Sequence, residues 1–107
     1  MKYSEITVQE LKLRMDKDPD LQILDVREAF EVSLASIEGT LRIPMNSVPS
    51  RIKELDPNKE LIIHCKSGIR SARVCDYLAN NNFIKLVNVK GGIKAWSLNI
   101  DDSVPLY

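Results

Sequence analysis

The residues of this chain best suited to chemistry lie in one short stretch, His64-Cys65-Lys66-Ser67-Gly68-Ile69-Arg70-Ser71. Cys65 comes directly after an apolar run that predicts a buried strand, and a helical pattern follows it. The carboxyl end of such a strand faces the amino end of the next helix, where free N–H groups and the helix dipole attract anions. A thiol in that place, beside two cationic side chains, is expected to ionise readily. We therefore predict that Cys65 is a catalytic nucleophile.

The spacing of the loop indicates a cradle for an anion. Residues 65–70 read C-x4-R, and Gly68 in the middle permits the backbone to curl with its N–H groups pointing inward. We predict that the group carried by the sulfur is bound by the five residues after the cysteine, namely Lys66, Ser67, Gly68, Ile69 and Arg70. No metal ion or organic cofactor is needed for chemistry at such a thiol.

This loop resembles the active-site loop of rhodanese-like sulfurtransferases, in which a persulfide forms on the cysteine. Three further segments resemble motifs of that family in the same order along the chain. They are Asp25-Val26-Arg27-Glu28 with Glu31 after it, Ile37-Glu38-Gly39-Thr40-Leu41-Arg42-Ile43-Pro44, and Gly91-Gly92-Ile93-Lys94-Ala95-Trp96. The chain departs from the family at Ser36, where His is usual, and at Arg42, where Asn is common.

The resemblance implies both a fold and an activity. The fold would be a rhodanese-like three-layer α/β/α arrangement around a central, mostly parallel sheet of about five strands, as the alternation of strand and helix patterns also predicts. The activity would be transfer of a sulfane sulfur from thiosulfate or a donor persulfide, through a Cys65 persulfide, to cyanide, a thiol or a sulfur-carrier protein. Residues 100–107 resemble the ends of rhodanese modules fused behind E1-like adenylyltransferases, so an E1-like enzyme or a cysteine desulfurase is a candidate partner.

Two other functions remain open from the sequence. A non-catalytic binding module could keep the same fold, although an intact Cys65 in a cationic loop favours catalysis. A cysteine-dependent phosphatase or arsenate reductase would share the cysteine and arginine, as in the pattern H-C-x5-R-S/T. Here four residues separate Cys65 from Arg70, and the shorter ring is expected to be too tight for a tetrahedral phosphate.

Composition limits the remaining possibilities. With 107 residues, 44% hydrophobic and 28% charged, the chain is predicted to form one domain over residues 1–107. Fifteen basic residues balance fifteen acidic ones, which argues against nucleic acid or an anionic membrane as a partner. The start lacks the apolar core of a signal peptide, and no stretch is long enough for a membrane span. We therefore expect a cytoplasmic location.

The elements that must position the loop follow from the hydrophobic pattern. A helix begins at Thr7, which has capping-box spacing with Glu10. Glycines 91 and 92 predict a turn into a short helix that packs Ala95 and Trp96 on the core. Strands are predicted at residues 4–7, 21–26, 41–43, 61–64 and 86–89, with further helices at residues 28–36, 47–55 and 71–82.

Several polar residues near the loop have two possible roles. Asp25 ends an apolar strand and needs a partner such as Arg27 or a backbone N–H, either as a scaffold ion pair or as support for the cysteine loop. We place Asp25, Arg27 and Ser71 in a supporting group. His64 is expected to pack against the sheet rather than to act as a base. Cys75 lies on the same helix face as the apolar Ala72, Leu78 and Ala79, so it is interpreted as a buried core thiol, with a resolving cysteine as the alternative.

Overall fold

The computed structural model describes residues 2–107, and its centre is a five-stranded sheet in which each neighbouring pair of strands is parallel. The strand order is β1-β5-β4-β2-β3. This arrangement confirms the predicted parallel sheet. The strands are β1 (Ser4–Ile6), β2 (Gln22–Asp25), β3 (Leu41–Arg42), β4 (Leu61–His64) and β5 (Leu86–Val89).

Helices connect the strands, as the sequence pattern predicts. The first begins with the expected capping box, because the Thr7 side chain accepts from the Glu10 amide and the Glu10 side chain accepts from the Thr7 amide. None of the helices formed by residues 2–107 is long and apolar enough to cross a membrane. The helices are α1 (Val8–Lys17), α2 (Ala29–Leu34), α3 (Val48–Arg51), α4 (Ile69–Ala79) and α5 (Gly92–Asn99).

Two hydrophobic clusters, one on each face of the sheet, make the fold a three-layer sandwich. Alternate residues of β4 point to opposite faces, so Ile63 joins one cluster while Ile62 joins the other. The first cluster packs α3 and α4 on the sheet, and the second packs α1 and α5. Trp96 is buried in the second cluster with Ala95 partly buried beside it, which confirms the predicted role of the short last helix.

Two helices differ from the predicted boundaries by more than two residues at one end. The single helix predicted over residues 47–55 is wrong: 3₁₀ turns at Met45–Ser47 and Ile52–Glu54 flank the four residues of α3. Arg51 leaves the helical conformation with a φ of −116°, so the α-helical turn ends there, and the tight turns still bury Val48 and Leu55. The helix predicted at 71–82 instead occupies Ile69–Ala79, so its first turn lies inside the cysteine loop.

The strand order brings the ends of β2 and β4 together under the loop. Strand β3 lies outside β2, whereas β4 lies on the opposite side of β2, so the order reverses between β2 and β4. Asp25 is in register with His64, and the Val26 amide donates to the His64 carbonyl at 3.1 Å. Such a reversal point, at the carboxyl ends of the strands, is where open α/β sheets bind ligands.

Helix α5 approaches the cysteine loop so closely that its first residue must be glycine. The Ile93 amide donates to the Cys65 carbonyl at 2.9 Å, and the Lys94 amide donates to the Lys66 carbonyl at 3.0 Å. A Cβ on Gly92 would lie 2.4 Å from the Cys65 carbonyl oxygen, and Gly92 has a φ of +58°. The helix therefore supports the loop through backbone contacts that a side chain would prevent.

Replacing Gly92 with Ala should lower the free energy of unfolding by about 2 kcal/mol or more, because it adds a backbone clash to an unfavourable φ. Gly39→Ala is the matched control, since Gly39 has a φ of +81° but a Cβ there would meet nothing within 4 Å. Urea unfolding of both variants separates the two costs. Equal destabilisation of the two variants would show that the close approach contributes nothing.

Candidate active site

The turn between β4 and α4 places Cys65 at the amino end of the helix. The strand ends at His64, and Gly68 precedes the helix in a left-handed conformation with a φ of +102°. This conformation favours glycine, and it turns the Gly68 amide back towards the cysteine. The backbone thus curls around the side chain of Cys65, as the spacing of the loop predicts.

Three groups surround the sulfur atom of Cys65. The amides of Gly68 and Ser71 donate to Sγ at 3.1 and 3.3 Å, and the Ser71 hydroxyl lies 3.3 Å from Sγ. Cys65 itself is only 1% exposed. The two amide donors stabilise negative charge on the sulfur, and almost none of the Cys65 surface is accessible to solvent.

Asn88 orients the Ser71 hydroxyl from the neighbouring strand β5. Ser71 Oγ donates to Asn88 Oδ1 at 2.6 Å, so its lone pairs face the thiol. Asn88 Nδ2 donates to the Gly68 carbonyl at 3.2 Å and to Glu5 Oε2 at 3.2 Å. Asn88 therefore fixes both sides of the loop, the glycine turn and the serine.

The guanidinium of Arg70 forms an ion pair with Glu31 on α2. Its two terminal nitrogens donate to the two carboxylate oxygens at 2.6 and 2.8 Å. Hydrogen bonds from Arg70 lower the pKa of Glu31 from 4.5 to about 2, and the same pairing raises the pKa of Arg70. The charge of Arg70 is thus matched by a carboxylate, and a sulfur-bound anion would have to share this cation with Glu31.

Arg27 is a fully buried cation whose donors all have partners. It pairs with Asp25, with Nη2 to Oδ2 at 2.7 Å, and both side chains have no exposed surface. The same guanidinium donates to the carbonyls of Ala35 at 2.7 Å and Glu31 at 3.3 Å, at the end of α2. Burial alone would raise the pKa of Asp25, but the hydrogen bonds from Arg27 keep that pKa below its ordinary value.

Tyr107 joins the Arg27 and Glu31 groups. Its hydroxyl accepts from Arg27 Nη1 at 2.9 Å and donates to Glu31 Oε2 at 2.8 Å. Chiefly because of burial, the pKa of Tyr107 is raised, so the hydroxyl keeps its proton. The Lys66 ammonium lies over the ring of Tyr107, 4.5 Å from its centroid.

His64 lies under the loop but is sealed from it. The residue is fully buried, its Nε2 is 3.7 Å from Asp25 Oδ2, and neither ring nitrogen has a hydrogen-bond partner within residues 2–107. Burial lowers the pKa of His64, which keeps the ring neutral. This environment suits the predicted packing role.

The second cysteine belongs to the core. Cys75 has no exposed surface and packs with Val74 and Leu78, and both cysteines are free thiols. Burial raises the pKa of Cys75 to about 12. Cys75 is thus a buried core thiol, as predicted. A buried thiol that keeps its proton is a poor nucleophile.

The structure brings together most, but not all, of the residues predicted from sequence. Gly68 and Ser71 contact the sulfur, whereas Ser67 and Ile69 have exposed side chains. Sequence analysis missed Asn88 and Tyr107. A polar residue within the apolar run of β5 was a signal for Asn88, but no local pattern marks Tyr107. Within the described residues 2–107, no group of three or more His, Cys, Asp or Glu side chains is arranged to hold a metal ion.

The model of the rhodanese-like domain family matches residues 7–99 of the chain. The chain belongs to the rhodanese-like domain family. The matched range includes the cysteine loop, α2 and β5, but ends before Tyr107.

Individual rhodanese-like proteins agree with this assignment. The chain is 41% identical over 96 residues to the "Putative sulfurtransferase YtwF" of Bacillus subtilis, covering 90% of this chain and 92% of YtwF. A crystal structure of a rhodanese-like domain protein from Staphylococcus aureus superposes with a TM-score of 0.84 at 35% identity, covering 97% of this chain and 98% of the other. These relatives confirm the rhodanese-like fold and support a general role in sulfur transfer.

The predicted similarity to a module of E1-like adenylyltransferases is also confirmed. The chain is 30% identical over 108 residues to the "Probable adenylyltransferase/sulfurtransferase MoeZ" of Mycobacterium tuberculosis. The match covers 99% of this chain but 28% of MoeZ. This rhodanese-like chain thus corresponds to one part of that larger protein.

The rhodanese-like loop should be stabilised by Glu31 in a pH-dependent way. Because its pKa is about 2 in the folded state, against 4.5 ordinarily, the ionised carboxylate contributes stability above about pH 5, and the contribution is lost as the pH falls towards 2. Glu31→Gln should lower the free energy of unfolding at pH 7 by at most about 3 kcal/mol, with a much smaller difference near pH 2.

Glu54→Gln is the control, because Glu54 pairs with Arg51 on the surface, where both side chains are exposed. Surface pairs contribute little, so this variant should resemble the wild type at every pH. Urea unfolding from pH 7 to pH 2 makes the comparison. A Glu31→Gln deficit that stays constant down to pH 2 would contradict the assignment of that stability to the ionised carboxylate.

Proposed function

We propose that this chain is a sulfurtransferase that carries a sulfane sulfur as a persulfide on Cys65. The observation that carries the proposal is the convergence of the Gly68 and Ser71 amides on Sγ at 3.1 and 3.3 Å. Two N–H donors aimed at one sulfur can stabilise the negative charge that the sulfur carries as the nucleophile in sulfur transfer. Family membership supports the same reaction class.

The reaction needs two displacements at sulfur. In the first, the Cys65 thiolate attacks the outer sulfur of thiosulfate; a new S–S bond forms, and sulfite leaves with the electron pair of the broken bond. In the second, a nucleophilic acceptor attacks the outer sulfur of the persulfide, and Cys65 leaves as a thiolate. A persulfide donor reacts in the same way, with its own thiolate as leaving group. Electrons balance in each step, so no redox cofactor takes part.

The loop provides groups for both stages. The amides of Ile69 and Arg70 lie in the first turn of α4, whose N–H groups have no partner within the helix. They are the donors available to the outer sulfur of the persulfide. Lys66 attracts an anionic donor, Ser67 forms the exposed side of the loop, and Asp25, Arg27 and Ser71 support the arrangement from behind.

The acceptor we propose is cyanide, a thiol or a sulfur-carrier protein. The similar protein MoeZ is named as both an adenylyltransferase and a sulfurtransferase, which supports an E1-like enzyme as a partner. A cysteine desulfurase is a further candidate, as the sulfur donor. Because Cys65 is 1% exposed, either partner protein would have to present its sulfur on an extended side chain or segment. A cytoplasmic location stays a prediction.

The first test is the intact mass of the purified protein after thiosulfate treatment. We expect a gain of one sulfur atom that cyanide removes. Cys65→Ser should abolish the gain, because a hydroxyl is far less acidic than a thiol, while Cys75→Ser and Cys75→Ala should keep most of it.

Circular dichroism establishes that each variant is folded. A wild-type protein that gains no sulfur from thiosulfate or from a persulfide donor would overturn the proposal in favour of a binding module. Cys65-dependent cleavage of an aryl phosphate would favour the phosphatase class. Folded Cys75 variants that lose transfer as fully as Cys65→Ser would replace the single-thiol mechanism with a two-thiol relay.

A second prediction concerns recognition of the donor's charge. Lys66→Ala should raise KM for thiosulfate about tenfold, equivalent to about 1.4 kcal/mol, because the loop loses a cation that no carboxylate within residues 2–107 neutralises. An uncharged organic persulfide should be affected much less. Lys85→Ala is the control, since Lys85 is an exposed lysine just before β5, at the end of the sheet opposite the Cys65 loop. Equal losses with the charged and uncharged donors would contradict a role in charge recognition.

A further inference from the structure

We propose that Tyr107 is a positioning residue for sulfur transfer: its ring holds Lys66 at the mouth of the loop, and its hydroxyl holds the Glu31–Arg70 pair against the buried Arg27. The inference rests on the proposed function, since it assigns the residue that orients both cations of the Cys65 loop. Tyr107 lies outside the range matched by the family model, residues 7–99.

The ring of Tyr107 is the partner of Lys66. The ammonium lies 4.5 Å from the ring centroid, over the negative face of the aromatic system. No carboxylate lies within 4.0 Å of this ammonium in the part of the chain that the structure describes. A lysine side chain has four flexible carbons, so a charge left free in solvent would have to be ordered each time a donor binds. The ring orders it beforehand without neutralising it.

The hydroxyl of Tyr107 links a rigid cation to a more exposed one. Arg27 is locked by Asp25 and donates to the hydroxyl at 2.9 Å. The hydroxyl donates to Glu31 Oε2 at 2.8 Å, and the same oxygen accepts from Arg70 Nη2 at 2.8 Å. Arg70 is 28% exposed, whereas Arg27 has no exposed side-chain surface. Tyr107 therefore connects the partly exposed Arg70 of the loop to the fully buried Arg27.

The two functions of Tyr107 can be separated by substitution. Tyr107→Phe keeps the ring under Lys66 and removes both hydrogen bonds, whereas Tyr107→Leu removes the ring as well. We expect Tyr107→Leu to raise KM for thiosulfate about fivefold with little change in kcat, because Lys66 acts on binding of the anionic donor. Tyr107→Phe should keep most of the wild-type KM. Tyr77→Phe is the control, since Tyr77 lies on the exposed surface of α4 and its hydroxyl takes no part in the site.

A double-mutant cycle tests the contact with Lys66. If the ring acts through Lys66, the variant carrying both Tyr107→Leu and Lys66→Ala should have the KM of Lys66→Ala alone. An uncharged persulfide donor should show little effect of any of these changes. If the KM increases caused by Tyr107→Leu and Lys66→Ala instead multiply in the double variant, the role of the ring is overturned. The same holds if Tyr107→Leu weakens the use of thiosulfate and of the uncharged persulfide equally.

Carbon-13 NMR titration of the Glu31 carboxyl tests the contact through the hydroxyl without any turnover. Tyr107→Phe should move the Glu31 midpoint upwards, because the carboxylate loses a donor, and Tyr77→Phe should leave it unchanged. A Tyr107→Phe midpoint equal to that of the wild type would overturn the role of the hydroxyl. If the wild type forms no persulfide at all, the proposed function fails and the positioning role in sulfur transfer fails with it, whereas an unchanged Tyr107→Phe midpoint overturns only the role of the hydroxyl.

Discussion

The structure of the site depends on the buried ion pair between Asp25 and Arg27. Two opposite charges with no exposed surface are stable only when their remaining hydrogen-bonding groups also have partners. Arg27 finds those partners in the end of α2 and in Tyr107, so the pair fixes a helix and the carboxyl-terminal segment at once. Removing one member of such a pair leaves an unpaired buried charge, which typically costs about 3–5 kcal/mol. Because breaking the pair is costly, the end of α2 and the carboxyl-terminal segment are held in place beside the loop.

Side-chain contacts connect this ion pair to the loop on the side of α2. A separate group of hydrogen bonds holds the loop on the side of β5. Arg27, Tyr107 and Glu31 lead to the Arg70 guanidinium on the side of α2. On the side of β5, Asn88 holds the Ser71 hydroxyl and the Gly68 carbonyl. Backbone hydrogen bonds from α5 support the loop near Cys65 and Lys66. The thiol thus lies between groups that are each held by a different element, and this is how a preorganised site keeps its donors aimed at one atom.

Sequence was sufficient for the parts of the site that depend on local pattern. An apolar run of four residues followed by Cys65 and Gly68 predicts the strand, the turn and the helix dipole, and the parallel sheet follows from alternation. The single helix over residues 47–55 was wrong although its hydrophobic spacing was right, because Arg51 leaves the helical conformation and the chain continues as a tight 3₁₀ turn. Partners such as Tyr107 and Glu31 are 76 residues apart, and their meeting depends on where the final segment crosses the fold. No local propensity encodes such a contact.

The distribution of charge also explains how a chain with no net charge could recruit an anion. Arg70 is paired with Glu31 and Arg27 with Asp25, so each pair is nearly neutral at a distance. Lys66 is held by a ring that leaves its positive charge in place. The sulfur meets amide dipoles instead, which stabilise negative charge without attracting ions from afar. Long-range attraction of an anion therefore depends on Lys66, whereas stabilisation of negative charge on the sulfur depends on the amide groups. In the proposed reaction, a donor anion would be drawn to the loop by Lys66, and its sulfur would then be held by neutral N–H groups that do not retain the departing anion.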